Sequence, residues 1–298
     1  MAVLFVFIDG VGIGENSTVN PLASENLHSF SYFTNCNGVH IECDERVQNG
    51  ILLKKTDANL DVEGLPQSGT GQTALFTGIN ASKKIGKHFG PFPHSKIKPL
   101  LRKKSVFHKA IEMGKSAHFL NAYPDIFFEK SEKRDRWSCT TLMTKSANQR
   151  LNRLQDVLEE RAITAEIIQS AWRSMLNLDV PSIDPEDAAE RALNALNTYD
   201  LVLYEYYLTD KAGHAQDREM ADKVLKVLDR FLMEIIKNKK TDDTLVICSD
   251  HGNIEDLSTK THTRNSVPLF VAGDTEPFSE AKSILDVTPG IIRVLEKS

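Results

Sequence analysis

The chain has 298 residues, 41% hydrophobic and 26% charged, with a formal net charge of -5. That is ordinary globular composition, with length enough for one large core carrying an insertion. With a sequence pI near 6.0 there is no global positive field to hold a nucleic-acid backbone or an anionic membrane surface, and no stretch reaches the roughly 18 apolar residues that spanning a bilayer requires, so neither nucleic acid nor membrane is an expected partner.

The first apolar run, Val3 to Ile8, is too short for a secretory core segment, lacks a basic leader and runs straight into Asp9-Gly10, so it reads as a buried strand. The next informative stretch is Gln67-Ser68-Gly69-Thr70-Gly71-Gln72, small and hydroxyl residues leading into Ala74-Leu75-Phe76. It predicts a helix with Ser68 at or near the amino terminus, where backbone amides and the helix dipole favour a phosphate; a plain N-cap role for Ser68 or Thr70 is the competing reading. A helix over 106–113 and a strand over 117–120 follow. Residues 85–184 are less regular, with a basic run at 96–104 and a charged run at 129–136. Beyond them come a helix over 185–197, a strand over 201–207, a helix over 218–237 and strands over 244–248 and 267–271.

Short continuous apolar runs suit parallel strands covered on both faces, and their alternation with amphipathic stretches predicts an α/β fold. The expectation is a three-layer α/β/α sandwich with a mostly parallel central sheet, built from residues 1–121 and 183–298, with 122–182 as a small inserted lid or cap. The four cysteines, Cys36, Cys43, Cys139 and Cys248, show no paired spacing, so the expectation is free thiols in a reducing cytoplasm, with neither a disulfide framework nor a thiolate zinc site. Lys84, Lys87, His88, His94 and Arg102 are candidates for holding a substrate anion, although solvated lysines and a hydrogen-bonded histidine are the plainer reading. Trp137 and its neighbouring phenylalanines could stack on a base or sugar, with packing as the plainer use.

The chemistry concentrates at strand ends. Asp9 follows the first strand, and the glycines after it match a dinucleotide-binding turn only in part; an acid where a pyrophosphate would sit disfavours that reading. Asp250 and His251 follow the strand over 244–248. Asp210 and His214 follow the strand over 201–207, and if the chain turns helically there the two converge on one ion. His262 completes the set. Three acids and three imidazoles gathered at one sheet edge suit one or two divalent cations, with Zn²⁺ and Mn²⁺ both compatible.

This ordered set resembles the metal motifs of the alkaline phosphatase superfamily. Ile8-Asp9-Gly10-Val11-Gly12-Ile13-Gly14-Glu15 is similar to phosphopentomutase, Asp250-His251-Gly252-Asn253 and Thr261-His262-Thr263 to cofactor-independent phosphoglycerate mutase, and the Ser68 segment to the nucleophile helix of alkaline phosphatase. The resemblance leaves about residues 85 to 195 largely uncovered. It implies one metal site from Asp210, His214 and His262, and a second from Asp9, Asp250 and His251 with the Ser68 oxygen also bound. The joint presence of these groups leads to the expectation of a phosphoserine intermediate at Ser68, and because only roughly residues 122–182 are left for a lid that would shield it, hydrolysis of a small phosphate monoester or diester is the leading expectation. The alternatives are a phosphomutase acting on a sugar phosphate or phosphoglycerate, and a metal-binding protein without turnover. Two departures stand out: the mutases have Gly-His where this chain has Gly71-Gln72, and alkaline phosphatase has Asp-Ser where it has Gln67-Ser68. Nothing matches the nucleophile setting of the sulfatases.

Overall fold

A computed structural model describes residues 1–298. Seven strands, β1 (Val3–Ile8), β2 (Arg46–Gln48), β3 (Ile51–Thr56), β4 (Ala117–Phe119), β5 (Leu201–Tyr206), β6 (Thr244–Cys248) and β7 (Val267–Ala272), form one sheet in the order β2-β3-β7-β6-β1-β5-β4. The strands β6, β1, β5 and β4 run parallel. At the other side β7 is antiparallel to β6 and β3, and β2 to β3. A parallel neighbour requires a crossover, usually helical; residues 249–266 contain no helix, so the chain leaving β6 turns back and β7 runs the opposite way.

Because side chains alternate across a strand, each buried strand feeds two cores. Leu4, Val6 and Ile8 join Tyr204, Tyr206 and Ile247 beneath the helices His28–Thr34, Pro185–Leu196 and Arg218–Asn238. Val3, Phe5 and Phe7 join Leu203, Val246 and Cys248 beneath the helices Ser68–Thr77, Val106–Glu112, Cys139–Ser146 and Val287–Glu296. These two cores make the layers of a three-layer α/β/α sandwich. Phe76 is the contact that sets the helix Ser68–Thr77 on the sheet, meeting Phe5 and Phe7 edge to face with ring centres 5.9 Å and 5.2 Å away. Burying a phenylalanine of this kind contributes roughly 1.5–3 kcal/mol.

Between β4 and β5 the chain forms the helices Asp125–Lys133, Cys139–Ser146, Leu154–Leu158, Ser170–Ser174 and Pro185–Leu196. Phe128, Trp137, Leu142 and Met143 pack into the second of the two cores, while Ala122, Val157, Ala162, Trp172 and Val180 make a small core of their own. No helix of the chain is long and apolar enough to cross a membrane.

One expectation is overturned. Cys36 and Cys43 form a disulfide, with Cα atoms 6.2 Å apart, and only Cys139 and Cys248 are free. Their separation of seven residues carries no recognisable signature; a turn at Gly38, with φ of +76°, folds the loop back so that the two sulfurs meet. A side chain at Gly38 would run into the Leu22 carbonyl oxygen, so the turn depends on glycine both for its backbone angle and for space.

Candidate active site

The chain leaves the carboxyl ends of β1, β5 and β6 at the edge where open α/β sheets bind ligands, and each exit delivers acid or imidazole. Asp9 directly follows β1. Asp210 and His214 lie in the helix Leu208–Ala215 after β5, where an i,i+4 spacing sets them on one face, with His214 Nε2 3.3 Å from Asp210 Oδ2. Asp250 and His251 come just after β6, and His262 lies in the loop before β7.

These six side chains gather in two groups that share a border. His251 Nε2 is 3.4 Å from Asp9 Oδ1 and 3.5 Å from Asp250 Oδ2. His262 Nε2 is 3.6 Å from Asp210 Oδ1 and 3.1 Å from His214 Nε2. The rings of His251 and His262 stack with centres 3.7 Å apart. Ligand atoms of Asp9, Asp250 and His251 all lie within 4.8 Å of one another, as do those of Asp210, His251 and His262. The loops approach this closely only because glycines leave room: a Cβ on Gly10, whose φ is +69°, would stand 2.7 Å from Asp210 Oδ1, and one on Gly71 would stand 2.8 Å from the Asp250 carbonyl oxygen. The glycines after β1 thus serve carboxylate packing.

Ser68 is the first residue of its helix, with Gln67 at the N-cap position. Its hydroxyl makes no capping bond; Oγ lies 3.1 Å from His251 Nε2, at the edge of the cluster. Both open-side imidazoles are oriented by the backbone. His262 Nδ1 meets the Pro66 carbonyl at 2.7 Å and His214 Nδ1 meets the Lys260 carbonyl at 2.7 Å. A carbonyl only accepts, so Nδ1 carries the proton in each ring and Nε2 presents a lone pair to the cluster.

Asp250 and His251 are wholly buried, which makes their electrostatics severe. Burial, reinforced by the charges of Asp250 and Asp210, holds Asp9 well above the usual carboxylate range. Burial raises Asp250 too, with Asp210 adding to it, and burial pushes His251 well below the usual imidazole range, helped by His262. Asp9 Oδ1 and both carboxylate oxygens of Asp250 have no hydrogen-bond partner. Orphaned buried carboxylate oxygens beside deprotonated imidazoles are costly unless a positive charge meets them, and a mixed oxygen and nitrogen donor set suits a divalent transition ion. The residues present fit such a cation.

Several side chains that shape the site carried no sequence signal strong enough to single them out. Gln72 Nε2 donates to Asp9 Oδ2 at 3.2 Å; its place one turn after Ser68 was the available clue. Asn253 Nδ2 donates to Asp210 Oδ1 at 2.6 Å. Glu255 accepts from the amides of Gly12 at 2.9 Å and Asn253 at 2.7 Å, and from Asn265 Nδ2 at 3.1 Å, tying the loops after β1 and β6 to the one before β7. Glu205, on β5, accepts from Thr140 Oγ1 at 2.7 Å, and burial pushes its carboxyl up to about 7.

A cavity of about 950 Å³ opens beside Ser68, with Asp9, Gln72, Glu205, Asp210 and His214 among its lining. Of the expected anion holders, Lys84, Lys87, His88, His94 and Arg102 do not line it, whereas Lys130, Arg134, Arg136 and Lys211 do. His88 is spent on structure, its ring nitrogens meeting Ser82 Oγ and the Val62 carbonyl.

A family model described as the metalloenzyme superfamily matches residues 1–296. The chain belongs to the metalloenzyme superfamily. Divalent-metal binding follows at the level of the family. This metalloenzyme is 24% identical over 257 residues to the 2,3-bisphosphoglycerate-independent phosphoglycerate mutase of Methanococcus aeolicus, a match covering 76% of this chain and 62% of that protein. It is 29% identical over 126 residues to the protein of that name from Clostridium botulinum, covering 39% and 25% respectively. The chain therefore spans less than two thirds of the length of either relative. Among solved structures, the metalloenzyme superposes on the PH0037 protein from Pyrococcus horikoshii with a TM-score of 0.59 at 13% identity, covering 100% of this chain and 97% of that one. It superposes on the alkaline phosphatase of the Antarctic bacterium TAB5 with a TM-score of 0.57 at 13% identity, covering 99% and 97%. At such identity the likeness is one of fold: the chain shares the fold of the TAB5 alkaline phosphatase, which the motif order led us to expect.

Proposed function

We propose that this chain transfers the phosphoryl group of a small phosphate ester to water through a phosphoserine at Ser68. The observation that carries the reading is the placement of the Ser68 hydroxyl at a helix amino terminus and beside the cluster, 3.1 Å from His251 Nε2, with its oxygen engaged in no cap. Asp9, Asp250 and His251 would hold one divalent cation and Asp210, His214 and His262 another, Zn²⁺ or Mn²⁺. Bound there, the two ions would supply the charge that favours the serine alkoxide and that offsets the developing charge on phosphoryl oxygens and leaving group.

The protein's own contribution follows from its geometry. The Thr70 and Gly71 amides donate to the Phe89 and Gln67 carbonyls, so what this end of the helix Ser68–Thr77 offers the incoming phosphoryl oxygens is the positive end of its dipole. Ser68 Oγ gives its proton to solvent and forms a bond to phosphorus as the bond from phosphorus to the ester oxygen breaks, and the departing ester oxygen takes a proton from solvent. Water then attacks the same phosphorus, its oxygen staying on the released phosphate and a proton returning to Ser68. Gln72 holds Asp9, and Asn253 holds Asp210, so that neither carboxylate has to be reoriented during the cycle. Residues 122–182 would cap the cavity.

A phosphomutase is the second reading, favoured by the similarity to phosphoglycerate mutases. The cavity's open side argues for hydrolysis, since a mutase shields its phosphoenzyme from water: Met175, one of its lining residues, is 76% exposed and the His214 side chain 46%. The experiment is a metal-resolved screen of phosphate esters in heavy-oxygen water. Release of labelled inorganic phosphate supports the hydrolase, isomerised phosphoglycerate or sugar phosphate without label supports the mutase, and bound metal with no turnover of any ester would leave only a metal-binding protein.

A further inference from the structure

The cavity beside Ser68 carries side chains whose chemistry no catalytic step uses. Its wall is aromatic: Phe92, Tyr123, Phe127 and Trp172 line it, with Tyr123 and Phe127 stacked at a centre distance of 4.1 Å. Met175 and Leu176 continue the apolar surface, and both are large hydrophobic side chains left exposed to solvent. Three cations stand among them. Lys130, Arg134 and Arg136 line the same cavity, and the Arg136 guanidinium lies over the Phe92 ring, 4.0 Å from its centre. The ion pairs of this segment use Arg150, Arg153 and Arg161; Lys130, Arg134 and Arg136 form none. The acids that line the cavity, Asp9, Glu205 and Asp210, sit near the sheet edge with Ser68.

We infer that the substrate's leaving group carries a planar aromatic body and a second negative charge, the ring lying against the Phe92, Tyr123 and Phe127 side and the charge meeting Arg134 and Arg136. The inference rests on phosphoryl transfer at Ser68 and adds to it the class of ester. A three-carbon phosphate would leave the aromatic wall uncovered, whereas a cavity of about 950 Å³ lies near the upper end of the roughly 300–1,000 Å³ typical of small-molecule sites. Arg134 and Arg136 are exposed and form no ion pair, so both guanidinium groups are free to meet an anion, and a ring seated beside them gains stacking and cation–π contact with Arg136.

Binding separates the two features if leaving-group reactivity is kept out. Four hydrolysis-resistant phosphonates, in which a methylene replaces the bridging oxygen, cross the presence of a ring with the presence of a second anion: the analogues of glycerol phosphate, phosphoglycerate, naphthyl phosphate and carboxynaphthyl phosphate. Titrated calorimetrically into the metal-loaded protein, the ring should tighten the dissociation constant about tenfold and the carboxylate about tenfold more. Arg134→Ala with Arg136→Ala should remove the carboxylate's gain, and Phe127→Ala most of the ring's. Four constants within about threefold of one another in the unaltered protein overturn the inference, whatever the variants do. Release of phosphate from naphthyl phosphate and glycerol phosphate at equal efficiency would overturn it while leaving phosphoryl transfer standing; no turnover of any ester would remove the reading beneath it as well.

Discussion

At the scale of single residues, the cluster is held by hydrogen-bond partners that act on one side chain each. Pro66 and Lys260 carbonyls set the His262 and His214 rings, Gln72 sets Asp9 and Asn253 sets Asp210. Ser68→Ala should therefore lower phosphoryl transfer by about a thousandfold or more while the metal content, measured by elemental analysis, stays near that of the unaltered protein, because six other side chains remain. Full activity in that variant would remove Ser68 from the chemistry. The raised carboxyls of Asp9 and Asp250 give a pH prediction whose sign can be worked out. Without metal both carboxyls keep their protons to a higher pH than ordinary carboxylates, and a cation binds the deprotonated form, so apparent metal affinity rises with pH and binding releases protons. Calorimetry of metal binding in buffers of different ionisation enthalpy measures that release; an affinity independent of pH would contradict the picture of a buried acid pair.

At the scale of elements, the helix Ser68–Thr77 sets the proposed nucleophile on a packed element. Phe76 sits between Phe5 and Phe7 at the back of the helix whose first residue is Ser68. Phe76→Ala should cost about 3–5 kcal/mol in stability, read by denaturant unfolding, and should lower activity in the fraction still folded; a loss below about 1 kcal/mol would mean the helix is held by something else. The loop closed by Cys36 and Cys43 gives an independent test: denatured without reductant the chain should expose two reactive thiols, Cys139 and Cys248, and four once reduced. The long apolar strands and the two longest helices, Pro185–Leu196 and Arg218–Asn238, were legible from periodicity, because continuous apolar runs and 3.6-residue stripes dominate those stretches, whereas the helix Val287–Glu296 was not singled out. The strands β2 and β3 were not. The polar residues of β2 and the adjacent Lys54 and Lys55 of β3 break the apolar run, and β3 is a strand through its pairing with β7. The six acids and imidazoles stood out because each follows or adjoins a strand end, whereas Glu255 and Glu205 are single acids whose work consists of contacts with residues far away in the chain. Likewise Lys130, Arg134 and Arg136 sat in a charged run that reads as a solvated face, and only the fold turns part of that face toward the cavity.

At the scale of the whole molecule, buried charge would make a cation bound in the cluster part of stability. Each ion that binds the folded chain and ignores the unfolded one adds about 2.7 kcal/mol when present at a hundred times its dissociation constant. Stripping metal with a chelator should thus lower the melting temperature measurably, and restoring Zn²⁺ or Mn²⁺ should recover it; a melting temperature indifferent to metal would argue against ions in the cluster. The sheet order adds a constraint in time. The strand β1 comes first in the sequence, yet its two neighbours are β5 and β6, both from the second half of the chain. As the ribosome extrudes this protein, the segment destined for the middle of the sheet must wait for partners made some two hundred residues later, and Asp9 must wait longer still for His262. The nascent chain therefore presents an apolar strand with no sheet to enter, and the six side chains of the cluster can meet only after β6 and the loop before β7 have been made, which makes shelter by chaperones during translation the point at which this fold is most exposed to failure.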